Sequence, residues 1–117
     1  MGNCIISKAN IIKNKLIWVN TSPGQPFSSQ KISLDLSNLS YIAIMMKLST
    51  SSNTVETFFC RIGSNFISQV IDSGSYPHSV QRSIDVSADG INFGEGHYDA
   101  QAGNNSFCVP SHIYSLF

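Results

Sequence analysis

The sequence predicts an all-β chain, an antiparallel β-sandwich of jelly-roll type in one domain, and three observations predict it. Apolar and polar residues alternate with a period of two in several short runs, turn residues separate those runs at roughly even spacing, and no stretch carries a capped, sustained helical period. Ser and Asn make up roughly a quarter of the 117 residues, a composition that suits turns and hydroxyl-lined strand faces.

The elements follow in order. Residues 1–14 form a lead-in segment and residues 15–117 the sandwich domain, and the best helical candidate is Ile5 to Ile17, with a loose stripe of Ile5, Ile6, Ala9, Ile12, Lys13 and Leu16. A short strand around Trp18 leads into a Ser/Pro/Gly loop. Residues 31–36 then place Ile32, Leu34 and Leu36 on one face and Lys31, Ser33 and Asp35 on the other. YIAIMMKLS is apolar on both faces, as expected of a central strand packed on both sides or lining a subunit contact. The Ser/Thr/Asn run of residues 49–54 ends it. VETFFCRIG and NFISQVI flank a turn at Gly63, and residues 73–77 are loop. SVQRSIDVS turns Val80, Ile84 and Val86 inward. Asp89-Gly90 supplies the positive φ angles of a tight hairpin before INFG. Residues 94–105 read as a Gly- and Asn-rich loop, and CVPSHIYSLF as the last strand.

Charge and cysteine content exclude whole classes. Seven cationic and seven acidic residues cancel, so no basic field exists for nucleic acid or an anionic membrane. The N-terminal residues suit neither a signal peptide nor a spanning helix, and Ile6 breaks the myristoylation pattern after Gly2. Cys4, Cys60 and Cys108, odd in number and widely spaced, read as buried thiols rather than a disulfide framework.

No catalytic motif emerges and no cofactor is expected. There is no G-x-S-x-G, Cys108 with His112 supplies only half of a zinc ligand set, and Glu95 with Asp99 is the one carboxylate pair worth testing. Gly90, Gly94 and Gly96 lack the strand-turn-helix setting of a phosphate loop and read as turn formers. Sugars stack on aromatic rings and bind amides and imidazoles, which directs attention to Trp18, Phe27, Tyr76 and Tyr98. Trp18 lies among apolar neighbours and belongs to core or interface. Tyr76, His78, His97, Tyr98, Asp99 and Asn104 make a polar and aromatic rim if their loops share one end of the sandwich.

Two stretches carry a family resemblance. In the first, Trp18, Asn20, Phe27, Gln30, Ser33, Leu34, Asp35, Leu36 and Tyr41 span a strand, a Pro/Ser loop and a Gln-x-Ile-Ser-Leu-Asp-Leu-Ser strand. In the second, Gly90, Ile91, Phe93, Gly94, Asn104, Asn105, Cys108, Val109, Pro110, Ile113 and Tyr114 close the chain. With these residues the chain, over about residues 15–117, resembles the C-terminal domain of tail-fibre-like and other virion-associated proteins of phages and prophages of gut Firmicutes. The match is strong at both ends and weak between Val55 and Val80. It is a pattern of folding residues, not of a catalytic site.

The resemblance implies a β-sandwich, homotrimeric, at the tip of a phage appendage. Members of that family often follow long N-terminal regions, so the chain is expected to be either an excised domain or a small free-standing phage protein. The expected function is non-enzymatic binding of a host-surface glycan or receptor by a virion module, through loops at residues 73–79 and 94–105, with Tyr41, Met45 and Met46 at the subunit contact. The alternative is a small cytoplasmic phage protein that sequesters a nucleotide signal of host antiviral defence, with Arg61 and Arg82 as its phosphate ligands.

Overall fold

In a computed structural model of the chain, which describes residues 14–72 and 78–116, eight strands form two four-stranded antiparallel sheets packed face to face. They are β1 (Lys15–Val19), β2 (Gln30–Ser33), β3 (Tyr41–Ser49), β4 (Val55–Arg61), β5 (Asn65–Asp72), β6 (His78–Ser87), β7 (Gly90–Tyr98) and β8 (Phe107–Leu116). The first sheet has the order β1-β8-β3-β4 and the second β2-β7-β6-β5. The expected sandwich is therefore present. Its outer strands interleave in the jelly-roll manner, with β8 between β1 and β3 and with β7 beside β2. The β3-β4 and β5-β6-β7 connections instead stay within one sheet.

Period-two alternation built the core. Leu36, Ile42, Ile44, Ile84 and Val86 are buried as expected, and Ile32 and Leu34 are half-buried against the same cluster. Met46, placed at the subunit contact by its sequence, is buried in the core, whereas Tyr41 is exposed. Phe27, a loop aromatic with a possible sugar-stacking role in the sequence, is buried instead. It meets Trp18 and Phe93 edge to face at 6.3 and 5.5 Å. The loop that carries it is pinned at both ends. Asn20 donates through Nδ2 to Pro110 O and accepts from the Ser22 N–H, while the Phe27 N–H donates to Asn105 O.

Three expectations are corrected. The helical stripe runs past residue 14 into β1, so Lys15, Leu16 and Ile17 are strand; residues 1–13 lie outside the described residues. The hairpin between β6 and β7 turns at Ala88-Asp89, with Ser87 paired to Gly90, so Gly90 opens the strand and is not in the turn. A Cβ there would collide with the Ile32 carbonyl of β2, which is why glycine stands at that place. Finally, β7 continues to Tyr98, so Gly94, Glu95, Gly96, His97 and Tyr98 are strand residues rather than loop. A bulge between Arg82 and Ile84 sets Ile84 opposite Phe93 but Arg82 opposite Gly96, and this extra length in β7 hides the alternation from the sequence.

Candidate functional site

Antiparallel pairing brings the starts of β2, β4, β6 and β8 and the ends of β1, β3, β5 and β7 to one end of the sandwich. The connections at residues 20–29, 50–54 and 99–106 lie there, beside the two strand ends that flank residues 73–77. His78 begins β6 and Tyr98 ends β7, paired to Val80, so both side chains project between the sheets at this end.

The rings of His78, Tyr98 and Phe107 form a stack, with centroids 4.8 and 4.7 Å apart and tilts of 30° and 36°. Asp99 clamps its outer member: Oδ2 lies 2.6 Å from His78 Nδ1, and Oδ1 accepts the Ser79 N–H at 3.0 Å. These contacts, the His78 bond first, hold the Asp99 carboxyl below its ordinary 3.8. With Asp99 ionised, His78 Nδ1 carries the proton, and in the neutral ring Nε2 becomes an acceptor for a ligand hydroxyl.

The backbone under this cluster is strained. Asp99 (φ 49°) and Ala100 (φ 69°) are the two central residues of a turn in which Tyr98 and Gln101 exchange backbone hydrogen bonds, and Cys108 has φ 49°. A positive φ is unfavourable for Ala and Cys, and such strain gathers at functional loops.

Arg82 organises the end from within. It is 0% exposed, and alternation places it on the Val80/Ile84 face. Nε donates to Cys108 O at 2.7 Å, Nη1 to Gly94 O at 2.6 Å, and Nη2 to Phe107 O and Asn105 O at 3.0 and 3.3 Å. The guanidinium also lies 5.5 Å from the centre of the Phe27 ring. Burial lowers its pKa to about 10, so it remains a cation at neutral pH. Gly96 is required beneath it, because a Cβ there would strike Asn104 O and crowd Phe107 O and Arg82 Nη2.

The rim expected from the sequence is thus assembled in part. His78, Tyr98 and Asp99 meet. Asn104 lies in the same loop, but its Nδ2 donates to Gln101 O at 2.8 Å and shapes the loop itself. His97 is on the opposite face of β7, with Nδ1 3.1 Å from Glu95 O, because the bulge puts Gly96 and Tyr98 inward. Tyr76 lies outside the described residues. Glu95 and Asp99 do not form a pair: Glu95 is on the outer face with His97, and Asp99 is held by His78 and Ser79.

The two arginines do not converge either. Arg61 is exposed at the end of β4 in the other sheet, and Arg82 is enclosed by carbonyls. Burial raises the Cys108 thiol to about 11 and the Cys60 thiol to about 12, so both are neutral at pH 7. Among the described residues no three His, Cys, Asp or Glu side chains converge as metal ligands.

Phe107 and the structural part of Arg82 were missed in the sequence. The signal for Arg82 was present, since it occupies the inward phase of SVQRSIDVS. An open concavity of about 530 Å³ lies at the opposite end, lined by Ser33, Leu34, Asp35, Ser37, Ala88 and Asp89. It has no aromatic ring, so the His78 end carries more of the chemistry that binds a sugar. Comparison with protein-family models, with curated proteins and with solved structures returns no match.

Proposed function

We propose that the chain is a non-enzymatic recognition module of a phage virion that binds a host-surface glycan or similar receptor through the end of the sandwich bearing His78. The observation that carries this reading is the convergence of His78, Tyr98, Asp99 and Phe107 from three strand ends and a strained turn. Ring surface stacks on the C–H face of a sugar, and an imidazole nitrogen and a carboxylate at a loop end bind its hydroxyls. The sequence resemblance to virion-associated domains supports the setting. Individual sites of this open kind are weak, so the module works in more than one copy on a repetitive surface.

The nucleotide reading gains no support from the arrangement. Arg82 is buried on four carbonyls, Lys31 bonds Asp89 at 2.7 Å, and Lys47 donates to the carbonyls of Pro23 and Thr50. Phosphate binding needs converging donors that these contacts do not leave.

The test is binding of the purified chain to intact Firmicute cells and their isolated wall polysaccharides, beside a panel of cyclic and linear nucleotides. Cell and polysaccharide binding is expected, with loss in His78→Ala and retention in His97→Ala and Asp35→Ala. Tight nucleotide binding without polysaccharide binding would replace this function with the sequestration alternative.

A further inference from the structure

The two outer faces of the sandwich differ in how exposed apolar side chains are grouped: on the second sheet Ile67 and Ile71 stand on the edge strand β5 opposite Ser83 and Ser79, whereas on the first they run across strands. Across the second sheet, register aligns Lys31, Asn92, Asp85 and Asn65 in one polar row. Across the first sheet, the corresponding row is Leu16, Tyr114, Ala43 and Phe59, and the next is Val19, His112, Met45 and Thr57. Phe59 is 74% exposed, Leu16 46% and Val19 44%, and Tyr41 on the same face is 50% exposed. Ala43, only 4% exposed, forms a shallow floor between the rings of Tyr114 and Phe59. Contiguous apolar surface of this extent marks an interaction site.

We infer that the outer face of the β1-β8-β3-β4 sheet is a self-association surface, on which a second copy of the chain packs the same face about a two-fold axis. Three features commit it to that occupant. Area is the first. Four strands about 4.8 Å apart and about seven residues long give a footprint of about 19 by 23 Å, and side-chain relief enlarges it toward the roughly 500 Å² per partner that a specific interface requires.

Charge is the second. No carboxylate projects from this face among the described residues, and the cations lie at its ends. Lys47 is turned onto the carbonyls of Pro23 and Thr50, and Arg61 is at the last position of β4. A two-fold contact therefore brings no pair of lysines, arginines or carboxylates together at its centre.

Shape is the third. A flat sheet with a small residue at its centre and rings beside it is complementary to itself, and sheets stack face to face about 10 Å apart. The resemblance implies three copies, but an isologous contact of this kind closes on two. The pairing goes beyond the recognition reading and does not depend on it. A chain that is monomeric yet binds cells would overturn the pairing alone, and a dimer that binds no cells would overturn the recognition reading alone.

Sedimentation velocity at micromolar concentration tests the pairing. The wild-type chain should sediment at twice 12.8 kDa. Phe59→Asp should weaken association by more than about tenfold, as expected on loss of an aromatic anchor. Leu16→Asp, at the other edge of the row, should do the same and decides the matter if Phe59→Asp does not give a wild-type circular dichroism spectrum. Ile67→Asp replaces a residue 64% exposed on the other sheet and should change nothing. A wild-type mass of one or three chains, or association indifferent to Phe59→Asp and Leu16→Asp, would overturn the two-fold pairing.

Discussion

At Arg82 a cation is held inside the sandwich by carbonyl oxygens from Gly94, Asn105, Phe107 and Cys108. Its planar fork joins the bulge of β7 to the start of β8, so one side chain fixes both strands that flank the recognition loop. Removing it leaves buried carbonyls unpaired at about 1–3 kcal/mol each, so Arg82→Met should lose about 3 kcal/mol or more in urea unfolding. Arg82→Lys should recover little of this, because an ammonium cannot reach the same divergent acceptors. Asp99 gives a second prediction at this scale. Its folded pKa lies below 3.8, so its bonds to His78 and Ser79 stabilise the fold at pH values above 3.8 and are lost as pH falls through the folded value. Asp35 and Asp89 have the same sign, through Ser37 and through Lys31 with Ser87. Carbon-detected NMR titration should find the Asp99 carboxyl midpoint below 3.8, and His78→Ala should move it back up.

Among the described elements, the turn after β7 has positive φ at two successive non-glycine residues, Asp99 and Ala100. Asp tolerates this region and Ala does not. Ala100→Gly should therefore raise stability by about 0.5–1 kcal/mol, the relief of left-handed strain less the added freedom of glycine in the unfolded chain. Circular dichroism melts would record it. The same turn explains what the sequence concealed. A positive-φ pair was expected at Asp89-Gly90, where the residue pair fits the rule; it occurs at Asp99-Ala100, where the second residue breaks it. Local turn chemistry was overridden by the tertiary grip of Arg82 and the His78-Asp99 bond. Where alternation was uninterrupted, as in residues 31–36 and 80–86, the inward residues were legible. Where bulges shift the phase, in β7 and at Ser111 of β8 opposite Met45/Met46, they were not, and His97 was placed on the wrong side. In β3 the expectation is simple: Ile44→Ala, fully buried, should cost about 2–5 kcal/mol, and Tyr41→Ala, half exposed, far less.

The whole molecule separates its tasks by end and by face. The core and the loop at residues 20–29 hold the two sheets in place, and one end collects the rings, the imidazole and the carboxylate. One outer face is mixed, with Ile67 and Ile71 exposed beside its polar row, and the other gathers exposed apolar side chains across four strands. The sequence disclosed the sandwich and three of the six rim residues that meet or adjoin, because His78, Tyr98 and Asp99 sit at strand ends whose order follows from the pairing. It could not disclose Phe107 as the third ring, since that contact depends on how β8 in one sheet packs across from β7 in the other. Recognition at the His78 end is decided by amide NMR titration of the chain with wall polysaccharide fragments from Firmicute cells. Shifts should concentrate at His78, Ser79, Tyr98, Asp99, Ala100 and Phe107 and be absent from Asp35, Ser37 and Asp89. Shifts confined to the opposite end, or none at saturating polysaccharide, would contradict it.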